Sequence, residues 1–172
     1  PTLFKETPLG PLKFWGFGST SEFRTRTLLT KEPETIAWID NFEPDSLFWD
    51  IGANIGVYTL YAALKLKKVV AFEPSAFNYF LLNKKILMND LDKKINTLNI
   101  ACTHKTGLDY FYLSSVESGG AANSFAVRED AYGDAMNVVH RQSCLGFTID
   151  DFISHYNFST PNYIKIDVDG IE

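Results

Sequence analysis

Phe48-Trp49-Asp50-Ile51-Gly52-Ala53-Asn54-Ile55-Gly56 decides the fold: an apolar run ends in an acid, and a glycine turn then opens a stretch with helical spacing. A second apolar run, Val70-Ala71-Phe72, ends in a second acid, Glu73, followed by Pro74. Two strands that each end in an acid and are joined through a helix place both acids at the carboxyl edge of an α/β sheet. Such sheets build nucleoside sites there. A dinucleotide fold shows G-x-G-x-x-G, because its backbone must approach a pyrophosphate closely. Only Gly52 and Gly56 stand in this turn, and Asp50 would repel an anionic ligand. The pattern fits a ligand with a cationic group near Asp50 and a ribose near Glu73. S-adenosyl-L-methionine carries both, as its ammonium and its adenosine ribose.

The rest of the composition is that of an ordinary globular chain. Its 172 residues are 45% hydrophobic and 22% charged, enough for one domain with a real core. A net charge of −5 gives no support for a nucleic-acid partner or an anionic membrane surface. Lys65, Lys67 and Lys68 form the only tight basic group, and the expected role is complementing a helix dipole. Cys102 and Cys144 suggest neither a metal cluster nor a disulfide framework, which points to a reducing, cytoplasmic setting. No run approaches a membrane span and no signal peptide is visible. The chain starts at Pro1 and stops inside a strand-turn motif, so it reads as a fragment.

Residues 1–30 are expected to be an irregular lead-in or a short hairpin. A helix starts at Pro33, with Ile36, Ile39 and Phe42 on one face, and ends before Pro44. Leu47 to Ile51 is a buried strand, residues 55–66 a helix with Val57, Leu60, Tyr61 and Leu64 inward, and Val69 to Phe72 the next strand. Phe77, Phe80, Leu81, Leu87 and Met88 mark a second helix. Ile95 to Ala101 reads as one third strand and Asp109 to Leu113 as an antiparallel fourth. Residues 114–137 are rich in Ser, Gly, Ala and Asn, and so long a loop is functional or disordered. A strand near Gln142–Leu145 precedes the capping box of Thr148 and Asp151, a helix through Tyr156, and a last parallel strand from Asn162 to Asp167. Alternating strands and helices predict an α/β, Rossmann-like, mainly parallel sheet with flanking helices.

Four segments carry a resemblance to the FkbM family of S-adenosylmethionine-dependent methyltransferases. They are Glu32 to Thr35, the turn from Asp50 to Gly56, Ala71 to Pro74 with Asn83 and Asn89 downstream, and Thr148 to Asp151 leading to Lys165 through Glu172. The resemblance spans roughly residues 30–172, so residues 31–172 are read as a partial methyltransferase domain. The last motif more often reads Asp-Val-Glu-Gly, where this chain has Asp167-Val168-Asp169-Gly170. Later strands of the seven-stranded class I methyltransferase sheet are expected to be missing. The strand before Asp167 would then be an apolar edge, and the segment weakly stable or aggregation-prone. The resemblance implies methyl transfer, most commonly to a hydroxyl of a sugar, glycan or natural product, with N-methylation as the other option.

Residue by residue, Asp50 is the candidate for the cofactor's ammonium, or else is satisfied by backbone N–H groups of its own turn. Gly52, Ala53 and Gly56 form the turn, and Asn54 orients it or touches the cofactor carboxylate. Glu73, before Pro74, suits a ribose diol, since a carboxylate accepts from both hydroxyls. Ala101 is placed to face adenine or is a core alanine. Asp167 is the candidate base for an acceptor hydroxyl, with Asp169 and Glu172 as alternates and turn capping as the rival role. Asp167 and Asp169 lack a third partner for a metal, and none is assigned. His104, His140 and His155 are assigned no role. Asn123 and Ser124 either line the acceptor pocket or are solvated loop. An NAD-dependent oxidoreductase and a non-catalytic nucleoside-binding module are the competing readings.

Overall fold

The computed structural model describes residues 2–121, 123–128 and 134–168. The chain opens with an antiparallel hairpin, β1 (Thr2–Lys5) and β2 (Leu12–Trp15), then helices α1 (Ser19–Arg26) and α2 (Pro33–Asp40). Strand β3 (Leu47–Ile51), helix α3 (Val57–Lys65), strand β4 (Lys68–Phe72), helix α4 (Ala76–Met88) and strand β5 (Ile95–Leu98) follow. Next come β6 (Ala101–Cys102), β7 (Gly107–Leu113), β8 (Ser124–Phe125), β9 (His140–Phe147), α5 (Ile149–Tyr156) and β10 (Tyr163–Ile166).

Four strands form a parallel sheet in the order β10-β3-β4-β5. The chain moves outward from β3 to β5 and then returns to the other side of β3. That reversal opens a crevice at the carboxyl ends of β3 and β10, where α/β sheets bind ligands. Alternation along β3 sends Phe48 into one apolar layer with α3 and α4, and Trp49 and Ile51 into another with Phe152 of α5. Phe42 stacks on Tyr163 with ring centroids 3.9 Å apart, closing α2 over the β10 side. Among the described residues β10 is one edge of this sheet and β5 the other, and Ile164 and Ile166 of β10 are exposed.

Several expectations need correction. The stretch from Ile95 to Ala101 is not one strand. Glu73 N–H donates to Leu98 O as the last bond to β4, and Asn99 Nδ2 then donates to Glu73 O (2.8 Å) and Pro74 O (2.9 Å). The chain thereby leaves the first sheet, and Ala101 joins a second one of order β6-β9-β7-β8. The lead-in holds the expected hairpin but also α1, whose Ser-, Thr- and Arg-rich sequence has no apolar period. Leu12, Phe14 and Leu28 from it are buried in the main core. Of Phe77, Phe80, Leu81, Leu87 and Met88, expected to mark the apolar face of α4, Leu81 is buried, but Phe80 and Leu87 are 65% and 67% exposed. Its buried face runs through Asn78, Leu81, Leu82, Lys85 and Ile86.

Local signals otherwise act as their chemistry predicts. Thr148 Oγ1 accepts from Asp151 N–H at 3.1 Å, half of a capping box. The return bond runs through Thr106, whose hydroxyl donates to the Asp151 carboxylate and accepts from Thr148 N–H. Asn89 clamps β2 by accepting from Lys13 N–H and donating to Lys13 O. The basic trio does not serve one dipole: Lys65 donates to Asp40 O at the end of α2, Lys67 pairs with Asp45, and Lys68 begins β4. No helix among the described residues is long and apolar enough to cross a membrane.

Candidate cofactor site at the carboxyl ends of the strands

A cavity opens where β3, β4 and β10 end. Gly52, Asn54, Glu73, Pro74, Ala101 and Asp167 line it, together with Asn78, Phe111, Val168, the loop residues Gly120, Ala121 and Asn123, and Ser124 and Phe125 of β8. Asp50, Ala53 and Gly56 do not line it. Asn123 and Ser124 therefore face the cavity rather than forming a solvated tip. Asp169 and Glu172 lie outside the described residues. None of the three histidines lines the cavity, and no group of three or more metal-ligating side chains occurs among the described residues.

Glu73 is the anchored acid of the cavity. It is 4% exposed; Oε2 accepts from Asn54 N–H at 2.7 Å and Oε1 from Ser75 N–H at 2.9 Å. One carboxylate thus ties the turn after β3 to the start of α4. Burial pushes its pKa up to about 7, against the pull of these two N–H donors. The Asn78 side chain adds to their pull, and Glu73 lines the cavity with oxygens that can each accept more than one hydrogen bond.

The turn itself has no spare donors. Gly52 and Ala53 N–H donate to Phe72 O, Asn54 N–H to Glu73, Ile55 N–H to Asn54 Oδ1, and Gly56 N–H to Ala53 O. Gly52, at φ 77°, brings the β3 end against Asp167 O of the β10 end, and Gly56, at φ 79°, lets α3 meet Leu82 of α4. Both glycines are therefore explained by backbone and helix approach within the protein. Ala53 is buried in the core behind the turn.

Asp50 lies beneath this floor, 1% exposed. Its Oδ2 accepts from the Thr59 hydroxyl at 2.5 Å, while Oδ1 is buried without a hydrogen bond. Lys165 sits directly opposite in register on β10, and its ammonium donates to Asp167 Oδ2 at 3.0 Å. Burial raises the Asp50 pKa, with the Lys165 charge opposing it. Burial alone would lower the Lys165 pKa, but Asp50 and Asp167 outweigh it and hold the ammonium charged. Lys165 also lies over the Tyr58 ring, and Tyr58 shares a hydrogen bond with Glu32. A protein cation thus faces Asp50 where a ligand ammonium was expected. Lys165 was missed because it sits between isoleucines in an alternating strand and reads as an outward position. Asn78 was missed as a polar residue on an apolar helix, a signal that such a residue faces something polar.

A parallel α/β sheet with a buried acid anchored after its second strand defines a Rossmann-like fold of the class I methyltransferase kind. The family model described as "Methyltransferase FkbM domain" matches residues 50–172, and the chain belongs to that family. It is 32% identical over 78 residues to the methyltransferase sdnD of Sordaria araneosa, covering 42% of this chain and 30% of that protein. The chain therefore spans less than a third of that relative's length. Among solved structures it resembles methyltransferase FkbM from Methylobacillus flagellatus KT (TM-score 0.47, 17% identity, 74% of this chain and 27% of that one). It also resembles Methanocaldococcus jannaschii Trm5 in complex with adenosine (TM-score 0.39, 19% identity, 56% of this chain and 28% of that one).

Proposed function

We propose that the cavity binds the adenosine part of S-adenosyl-L-methionine and that the chain takes part in methyl transfer to a hydroxyl of a small-molecule or glycan acceptor. The observation that carries this reading is Glu73, a buried acid that lines the cavity with both oxygens pinned by neighbouring turns. A ribose diol supplies the two donors that such a carboxylate wants. Ile100, Phe111 and Phe125 give an adenine ring apolar walls, and Ala101 leaves room beside them. The exhausted N–H groups of residues 52–56 disfavour a pyrophosphate, and with it the dinucleotide alternative.

The bound cofactor supplies an activated methyl group on a sulfonium. The chain's own contribution is positioning in a site from which water is excluded, together with a proton acceptor. Asp167 lines the cavity and is held by Lys165, so it is the residue proposed to receive the acceptor's hydroxyl proton. Asp50 acts from below, through the Lys165 charge, rather than by touching the cofactor.

The Glu73 pKa gives a signed test. Ribose hydroxyls donate to the ionised form, so binding favours loss of its proton. S-adenosylhomocysteine is expected to bind more weakly as pH falls from 8 to 6, with proton release near pH 7 read by calorimetry in buffers of different ionisation enthalpy. Glu73→Gln should flatten that dependence. Equal affinity at both pH values with no proton release removes the diol contact. In the free protein the same raised pKa makes Glu73 cost stability as pH rises from about 4.5 to about 7, because the folded state holds the proton longer.

A further inference from the structure

Residues 114–121, between β7 and β8, form a strap whose inner side is bonded to the cavity and whose outer side is bonded to α1. On the inner side, Gly119 N–H donates to Asn78 Oδ1 at 2.8 Å, and Gly120 O accepts from Asn54 Nδ2 at 2.9 Å and Asn78 Nδ2 at 3.3 Å. On the outer side, Gly119 O accepts from Arg24 Nε at 2.7 Å. Glu117 Oε1 accepts from the Ser19 hydroxyl at 2.9 Å and from Thr20 N–H at 3.1 Å. Gly18, the residue before α1, offers no side-chain cap, so the Glu117 carboxylate fills that place from the strap. A side chain at Gly119 would press on Ser21 N and Thr20 at 3.3 Å, which is how closely strap and helix meet.

We propose that Arg24 and Glu117 are positioning residues of the nucleoside cavity. They latch the strap to α1 and thereby hold the Gly120 carbonyl and Ala121 at the cavity wall. This rests on the adenosine reading above. Neither residue lines the cavity. The effect travels through Gly120 O to the Asn54 side chain, whose backbone N–H holds Glu73. Helix α1 lies outside the segment that matches the family model, whereas Glu117 lies inside it. Preorganisation of this kind acts on affinity by removing the ordering cost of the wall.

The test uses the full 172-residue chain with adenosine and S-adenosylhomocysteine as probes. Arg24→Ala and Glu117→Ala are each expected to speed hydrogen exchange of the 114–121 amides and to weaken both probes about tenfold. For Glu117→Ala the urea midpoint should stay within error, because Glu117 is exposed and contributes little to the core. Arg24→Lys should recover part of the affinity by restoring a donor. Arg26→Ala, which breaks only the exposed pair with Glu22, should change neither readout. Faster strap exchange with unchanged affinity for both probes overturns the latch, as does unchanged exchange. A wild-type chain that binds neither probe overturns the adenosine reading itself, a result distinct from wild-type binding that the variants fail to alter.

Discussion

Gly52→Ala is expected to cost about 3–5 kcal/mol, enough to unfold much of a domain of ordinary stability. Two penalties add at this position. Gly52 sits at φ 77°, a left-handed conformation that costs an alanine about 1–2 kcal/mol. The added Cβ would also lie 2.0 Å from Asp167 O and 2.8 Å from Asp167 C. Those are backbone atoms fixed by Asp167 N–H donating to Ile51 O, so relief requires β10 to leave β3. At Gly56 the corresponding atom is Leu82 Cδ1, the end of a side chain that can rotate, so Gly56→Ala should cost less. Urea titration of both variants checks the order. A Gly52→Ala loss below about 1 kcal/mol means that the β10 end is not held against the turn.

Lys85→Met is expected to do the opposite and stabilise the protein. Lys85 is fully buried on α4, and its ammonium has one hydrogen bond, to Ile55 O at 3.2 Å, with the Phe14 ring nearby. Burial, with the Arg24 charge adding, pushes its pKa from 10.5 down to about 7. Between these values the unfolded chain binds more protons, so stability rises with pH across that window. At pH 6 both states are charged and the burial cost is full, roughly 4–5 kcal/mol at 1.36 kcal/mol per pH unit. Methionine keeps the length and removes the charge, at the expense of a bond worth about 1 kcal/mol. The expected gain is about 2–4 kcal/mol at pH 6, shrinking toward pH 10. Destabilisation at pH 6 would instead mean that the bond to Ile55 O holds the turn more strongly than burial opposes the charge.

The turn and its strand were readable because one short segment fixes so much. Apolar runs ending in Asp50 and Glu73 allow few folds, and the bounds of β3 match those expected. What stayed hidden depends on long-range contact. Nothing local in Ile95 to Ala101 tells that Asn99 will bond backwards to Glu73 and Pro74 and divert the chain into a second sheet. The polar residues Asn78 and Lys85 break the apolar period of α4 because distant segments supply their partners, the strap at Gly119 and Gly120 for Asn78 and the turn at Ile55 O for Lys85. The local sequence around Asp50 does not reveal the lysine that arrives opposite it from β10. Glu117 and α1 find each other across nearly a hundred residues, so neither segment signals the contact alone.

Calorimetric titration with S-adenosylhomocysteine, beside NADH, tests the central claim most directly. Saturable binding of S-adenosylhomocysteine, no heat from NADH, and a loss of about 1–3 kcal/mol in Glu73→Ala are the predicted results. Wild-type affinity retained in Glu73→Ala, or preference for NADH, would contradict it.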